Sequence, residues 1–120
     1  MTDAQQLSDV FARIEQELGA VDLVVAGAGT YRPVALDTFS PDPFRSMIDT
    51  NYMGVINVLS ALLPVFRARR KGHVAWIASV AGYRGLPKAA AYGPTKAALI
   101  NLAESLKPEL EAEGITVSVI

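Results

Sequence analysis

Val21-Asp22-Leu23-Val24-Val25-Ala26-Gly27-Ala28-Gly29 decides the fold. Its first six residues form a nearly unbroken apolar run that stops at glycines. Such a run reads as a short strand buried on both faces, the pattern of a parallel sheet. Upstream, Leu7, Val10, Phe11, Ile14 and Leu18 recur at three- and four-residue steps and predict a helix over 2–19. Thr2 and Gln5 have capping-box spacing at its start, and Gly19 suits the position just past its end. Downstream, residues 27–39 read as loop.

Ser40-Pro41 has the form of an N-cap followed by proline at the first helical position, opening a long helix over 41–70. Pro64 is expected to kink it. Arg67, Arg69, Arg70 and Lys71 gather at its end, where the helix dipole favours cations. A second buried strand is predicted over 73–78, a loop over 79–90, a third helix over 91–113 ended by Gly114, and a third strand over 115–120. Alternating helices and apolar strands imply parallel strands joined by right-handed crossovers, an α/β doubly wound sheet. Trp76 reads as core and His73 as surface. A third strand that stops apolar and a first strand preceded only by a helix predict that residues 1–120 are one partial domain, a segment of a larger sheet.

Composition narrows the function. The hydrophobic share of 51% supplies a core, and a net charge of −1 provides no electrostatic footprint for nucleic acid or an anionic membrane. With no cysteine and a single histidine, the chain has no disulfide, thiolate metal site or multi-histidine metal site. No apolar run approaches the roughly 20 residues that span a bilayer, and residues 1–10 are too polar for a signal peptide. The expectation is a soluble, cytoplasmic protein with no membrane or nucleic-acid partner and no metal.

Chemistry-bearing residues concentrate in three places. Tyr92 and Lys96 are four apart near a helix start and share a face. A lysine ammonium beside a phenol favours the phenolate, and a tyrosine so tuned exchanges protons near neutral pH. Ser79 follows a strand at the carboxyl edge of the sheet, where open α/β sheets bind ligands, and its hydroxyl suits a developing oxyanion. Asn51 sits in a helix where its propensity is poor, so it needs a reason; a buried amide bonding backbone is the plainest one. Gly27 and Gly29 follow a strand, but Arg32 stands where the dinucleotide fingerprint needs its third glycine, so this turn is no pyrophosphate cradle.

Asn51-Tyr52-Met53-Gly54, then Ala78-Ser79-Val80-Ala81-Gly82, then Tyr92-Gly93-Pro94-Thr95-Lys96, in this order and spacing, resemble the short-chain dehydrogenase/reductase superfamily over essentially the whole chain. The resemblance implies a Rossmann fold, NAD or NADP as cofactor, and hydride transfer between nicotinamide and a small-molecule carbonyl or alcohol. It assigns Tyr92 as acid/base, Lys96 as the group that tunes it and holds the nicotinamide ribose, and Ser79 as holder of the substrate oxygen. Asn51 would fix a water linking Lys96 to solvent. Gly27, Ala28 and Gly29 would lie beside the cofactor, with Asn51, Tyr92 and Lys96 as further contacts. Tyr83, Arg84, Leu86 and Pro87 fall in the loop expected to line a substrate cleft.

Two departures stand out. Ala26 and Gly27 replace both asparagines of the family's Asn-Asn-Ala-Gly segment. The family's Gly-rich turn and its later Asn-Pro-Gly segment are not among these 120 residues, so the expectation is a catalytic middle without the N-terminal Gly-rich half, inactive when isolated. The resemblance also implies a homodimer or homotetramer through the helices at 41–70 and 91–113, with Tyr52, Ile56, Leu63, Leu99, Leu102 and Leu106 as contributors. Two other readings remain open: a non-catalytic fragment serving only assembly, and a sugar-nucleotide epimerase or dehydratase of the extended relatives. The Asn51-x-x-Gly54 element and the short Ser79-to-Tyr92 spacing speak against the latter.

Overall fold

The computed structural model describes residues 1–120. Helix α1 (Ala4–Leu18) leads into β1 (Leu23–Ala26), followed by a loop and then a continuous helical stretch made of α2 (Asp42–Met47), a π-helical segment (Ile48–Met53) and α3 (Gly54–Arg69). Strand β2 (Gly72–Trp76), a 3₁₀ turn (Val80–Gly82), α4 (Tyr92–Ala112) and β3 (Ile115–Val119) complete the chain. The three strands form a parallel sheet in the order β1-β2-β3. Leu23 pairs with His73, and His73 with Thr116. With its flanking helices this is a Rossmann-like α/β fold.

One core joins helices and sheet. Phe11 of α1, Val55 to Phe66 of α3, and Leu99 and Ala103 of α4 pack with Val74, Trp76, Ile115 and Val117 of the strands. Trp76 is the largest of the fully buried side chains, and its indole N–H donates to the Leu99 carbonyl at 2.9 Å, which ties β2 to α4. The Phe11 and Phe66 rings meet edge-on at 6.2 Å and join α1 to α3.

Several local expectations need correction. Asp3, not Thr2, caps α1, accepting from the Gln6 N–H at 2.9 Å. Helix α2 begins at Asp42 without a side-chain bond from Ser40. Helical structure continues through Pro64, and a departure from α geometry that the sequence did not announce falls at Ile48–Met53. The first strand is not buried on both faces: Leu23 and Val25 are about half exposed, on a strand that pairs with β2 alone. Val10, Ile14 and Leu23 instead border an apolar groove of about 390 Å³ between α1 and β1. Leu99 cannot serve an interface, since it is buried in the core, and Tyr52, Leu63, Leu102 and Leu106 pack partly against that core. His73 is half-buried, with Nε2 2.8 Å from the Ser118 hydroxyl. No helix is long and apolar enough to cross a membrane.

The basic cluster after α3 is engaged by tertiary partners more than by the helix terminus. Arg67 makes a two-pronged pair with Glu113, Arg70 donates to the Ala112 carbonyl, and Lys71 pairs with Asp22. Arg69 donates to both the Glu15 carboxylate and the Val21 carbonyl, while Glu15 accepts from the Val21 N–H. These contacts join the end of α3 to the entry of β1 and the exit of α4.

Gly114 turns the chain from α4 into β3 at φ +83°. A Cβ there would overlap the Arg70 backbone carbonyl. Gly114→Ala therefore meets both left-handed strain and a backbone clash. Chemical denaturation should show a loss of at least about 1–3 kcal/mol; an unchanged midpoint would contradict this account of the turn.

Candidate active site

The site forms where the carboxyl ends of β1 and β2 meet the first turn of α4. The π-helical segment carries Asn51, which is fully buried. A π turn adds a residue to the helical repeat and is frequent at functional positions. Here the Asn51 amide reaches the loop after β1. Its Oδ1 accepts from the Thr30 N–H at 2.7 Å, and its Nδ2 donates to the Thr30 carbonyl at 2.9 Å. The same Nδ2 donates to the Thr95 hydroxyl at 3.2 Å, and that hydroxyl donates to the Tyr92 carbonyl at 2.7 Å.

Lys96 lies one turn beyond Tyr92 and is only 5% exposed. Its Nζ donates to the Ile77 carbonyl at 2.7 Å and sits 5.6 Å from the centre of the Tyr92 ring. Burial holds its pKa below the ordinary value of 10.5, because desolvation disfavours the ammonium. Two of the three ammonium N–H donors remain for a ligand.

Ser79 caps the 3₁₀ turn, its Oγ accepting from the Ala81 N–H at 3.2 Å. That turn lies hard against α4. A Cβ on Gly82 would come within 2.8 Å of the Lys96 backbone, and one on Gly93 within 2.9 Å of the Ala81 carbonyl oxygen. Both glycines allow the close approach that sets Ser79 beside the start of α4. Gly27, Ala28 and Gly29 are exposed, and a Cβ on Gly29 would face Asn51 Oδ1 at 3.6 Å and Lys96 Nζ at 3.8 Å.

The structure thus joins Asn51, Tyr92, Lys96 and Gly29 in one network and sets Ser79 at its edge. Tyr83, Arg84 and Leu86 border a separate pocket of about 420 Å³ that Ser79, Tyr92 and Lys96 do not line, and Pro87 does not line it either. Residue reading overlooked Thr30, Tyr31 and the Ile77 carbonyl, and gave Thr95 no role. Thr95 had one available signal: three residues after Tyr92 in a helix, a threonine hydroxyl reaches its own turn's carbonyl. The backbone contacts of Thr30 and Ile77 leave no residue-type signal.

Comparison with known proteins identifies the family of the fold. Residues 1–120 match the short chain dehydrogenase family model. The chain is 37% identical over 120 residues to an oxidoreductase of Myxococcus xanthus (strain DK1622), covering all of this chain and 47% of that protein. It is 34% identical over 117 residues to the 3-dehydrosphinganine reductase of Danio rerio, covering 98% of this chain and 35% of that one. Among solved structures, LigO in its apo form from Sphingobium sp. strain SYK-6 superposes with a TM-score of 0.93 at 32% identity, covering 99% of this chain and 44% of that one. A gluconate 5-dehydrogenase from Burkholderia cenocepacia J2315, in complex with NADP and tartrate, gives 0.90 at 30% identity, covering 98% and 46%. The chain spans half or less of each of these four proteins and matches the family model from end to end, and it belongs to the short-chain dehydrogenase family.

Proposed function

We propose that this chain is the catalytic segment of an NAD(P)-dependent oxidoreductase that interconverts a carbonyl and an alcohol. The observation that carries the proposal is the half-buried Tyr92 beside a desolvated Lys96, the first held at its main-chain carbonyl by Thr95 and the second at its ammonium by the Ile77 carbonyl, at the carboxyl edge of a parallel sheet. The nicotinamide end of a dinucleotide fits these residues. Gly27 and Gly29 leave exposed backbone without side chains on either side of the small Ala28, and Lys96 directs its ammonium toward Gly29 with donors to spare for ribose hydroxyls. When bound, the nicotinamide supplies or accepts hydride.

Each residue then has a task. In reduction, Tyr92 Oη gives its proton to the carbonyl oxygen; in oxidation it takes the alcohol proton. The Ser79 hydroxyl, whose acceptor side is occupied by the Ala81 N–H, donates to the same substrate oxygen. Lys96 provides positive charge beside the phenol. The Asn51 amide is committed to Thr30 and Thr95, which supports a positioning role over direct ligation of a relay water by its side chain. We place the whole protein in a homodimer or homotetramer through the helices at 41–70 and 91–113, with Tyr52, Ile56, Leu63, Leu102 and Leu106 as contributors.

Tyr92→Phe, in the protein that carries this segment, removes the proton donor and should lower turnover by at least about 10²–10⁴-fold. Near-native turnover of the Phe variant on its own substrate would defeat the assignment.

The 120 residues contain no Gly-rich turn at a helix N-terminus to bind the pyrophosphate. Calorimetric titration of this chain alone should detect only very weak binding of NAD(H) or NADP(H); micromolar affinity for either would refute the division of labour proposed here.

Burial of Lys96 makes stability depend on pH. The folded chain holds this proton less tightly than the unfolded chain, whose lysine titrates at the ordinary 10.5. Between the lowered value and 10.5 the unfolded state binds more protons, so the native protein should gain stability relative to Lys96→Met as pH rises through that window. Denaturant curves of the two proteins at stepped alkaline pH measure the difference, and a flat or falling difference would show that burial does not disfavour the ammonium.

A further inference from the structure

Tyr31 occupies a loop and is 52% exposed, yet its ring meets the Tyr92 ring edge-to-face, with centroids 5.4 Å apart and planes at 82°. Aromatic pairs favour this arrangement. Loop residues are ordinarily free to move, but Tyr31 follows Thr30, whose N–H and C=O are both held by the buried Asn51 amide. The Thr30 carbonyl shares a rigid peptide plane with the Tyr31 nitrogen, so those two bonds also fix where Tyr31 starts. The second N–H of the same amide reaches the Tyr92 main chain through Thr95. Tyr92 is therefore held at its backbone through Thr95 and at its ring by Tyr31, and both holds originate at Asn51. The terminal ring torsion of a tyrosine is broad, and Lys96 is anchored to the Ile77 carbonyl rather than to the phenol.

We infer that Tyr31 is a positioning residue that fixes the orientation of the Tyr92 ring and so aims its hydroxyl at the substrate oxygen. The inference rests on the acid/base reading of Tyr92. It assigns the work to the ring of Tyr31 and none to its hydroxyl. A displacement of a reacting atom by about 1 Å costs on the order of a hundredfold in rate, so losing the ring contact should act on turnover more than on binding.

Two readouts test it. The first needs no activity: NMR on this chain. Tyr31→Ala, with Tyr31→Leu to preserve apolar volume, should average the χ1 couplings of Tyr92 and weaken the nuclear Overhauser contacts of its ring with Lys96, changes that the lost ring current alone does not produce, while Thr30 and Asn51 signals persist. Tyr31→Phe should keep those couplings and contacts. Unchanged Tyr92 couplings and contacts in the Ala and Leu variants would overturn the inference. The second is steady-state kinetics of the protein that carries this segment. Tyr31→Ala and Tyr31→Leu should lower kcat by about tenfold or more with KM little changed, and Tyr31→Phe should restore it. A loss in Tyr31→Phe as large as in Tyr31→Ala would overturn the inference in favour of the hydroxyl, as would an effect confined to KM. If the native protein turns over no carbonyl or alcohol, the oxidoreductase reading fails, while the NMR result still decides whether Tyr31 holds Tyr92.

Discussion

The amide of Asn51 is the interaction on which the rest of the site depends. Its three hydrogen bonds link a helix, the loop after β1 and the first turn of α4. An unpaired amide in so dry a position would cost about 1–3 kcal/mol, so each partner is constrained to stay. The π turn around Asn51 belongs to the same requirement: it sets a polar side chain, without exposure, inside a stretch whose other buried residues are apolar.

The parallel sheet supplies the frame for that network. Strand ends are fixed by backbone pairing and by Trp76 bonded to Leu99, so the Ile77 carbonyl and the glycines after β1 lie at set places along one edge. The 3₁₀ turn reaches α4 only because Gly82 and Gly93 present no side chain at the contact. Backbone atoms thus do much of the positioning: the Thr30 peptide groups, the Ile77 and Tyr92 carbonyls and the Ala81 N–H each hold one side chain of the candidate site.

That reliance on backbone explains what the sequence disclosed and what it hid. Helix periodicity and the apolar runs ending at Gly27 and at Ser79 announced the alternating α/β order, and each strand lies within two residues of its expected start. Tyr92 and Lys96 were legible because a four-residue step in a helix fixes their relation in space. Asn51 was legible as an anomaly of propensity. Its partners were not, since Thr30 is twenty-one residues away and contributes main-chain atoms, which carry no signature of residue type. Helix starts shifted by a residue or so because Thr2 and Asp3 are both competent caps and Ser40 makes no cap bond. Two-sided burial of β1 failed because a strand's apolarity records what the strand tolerates, while burial depends on what packs against it.

Buried polarity separates this site from the remainder of the core. Asn51, Thr95 and Lys96 are the polar or charged residues among those buried, and every one belongs to the network around Tyr92. A core assembled for stability alone has no use for a desolvated ammonium, since well-packed apolar side chains of similar volume serve as well or better. Yet none of the buried side-chain polar atoms lacks a hydrogen-bond partner. Such satisfaction limits motion, because shifting the loop at Thr30 or the strand end at Ile77 would strand a donor in a dry place. The energetic cost of the polar cluster and the rigidity of the site therefore have one origin: the hydrogen bonds that make burial tolerable are also those that hold Tyr92 and Lys96 in register.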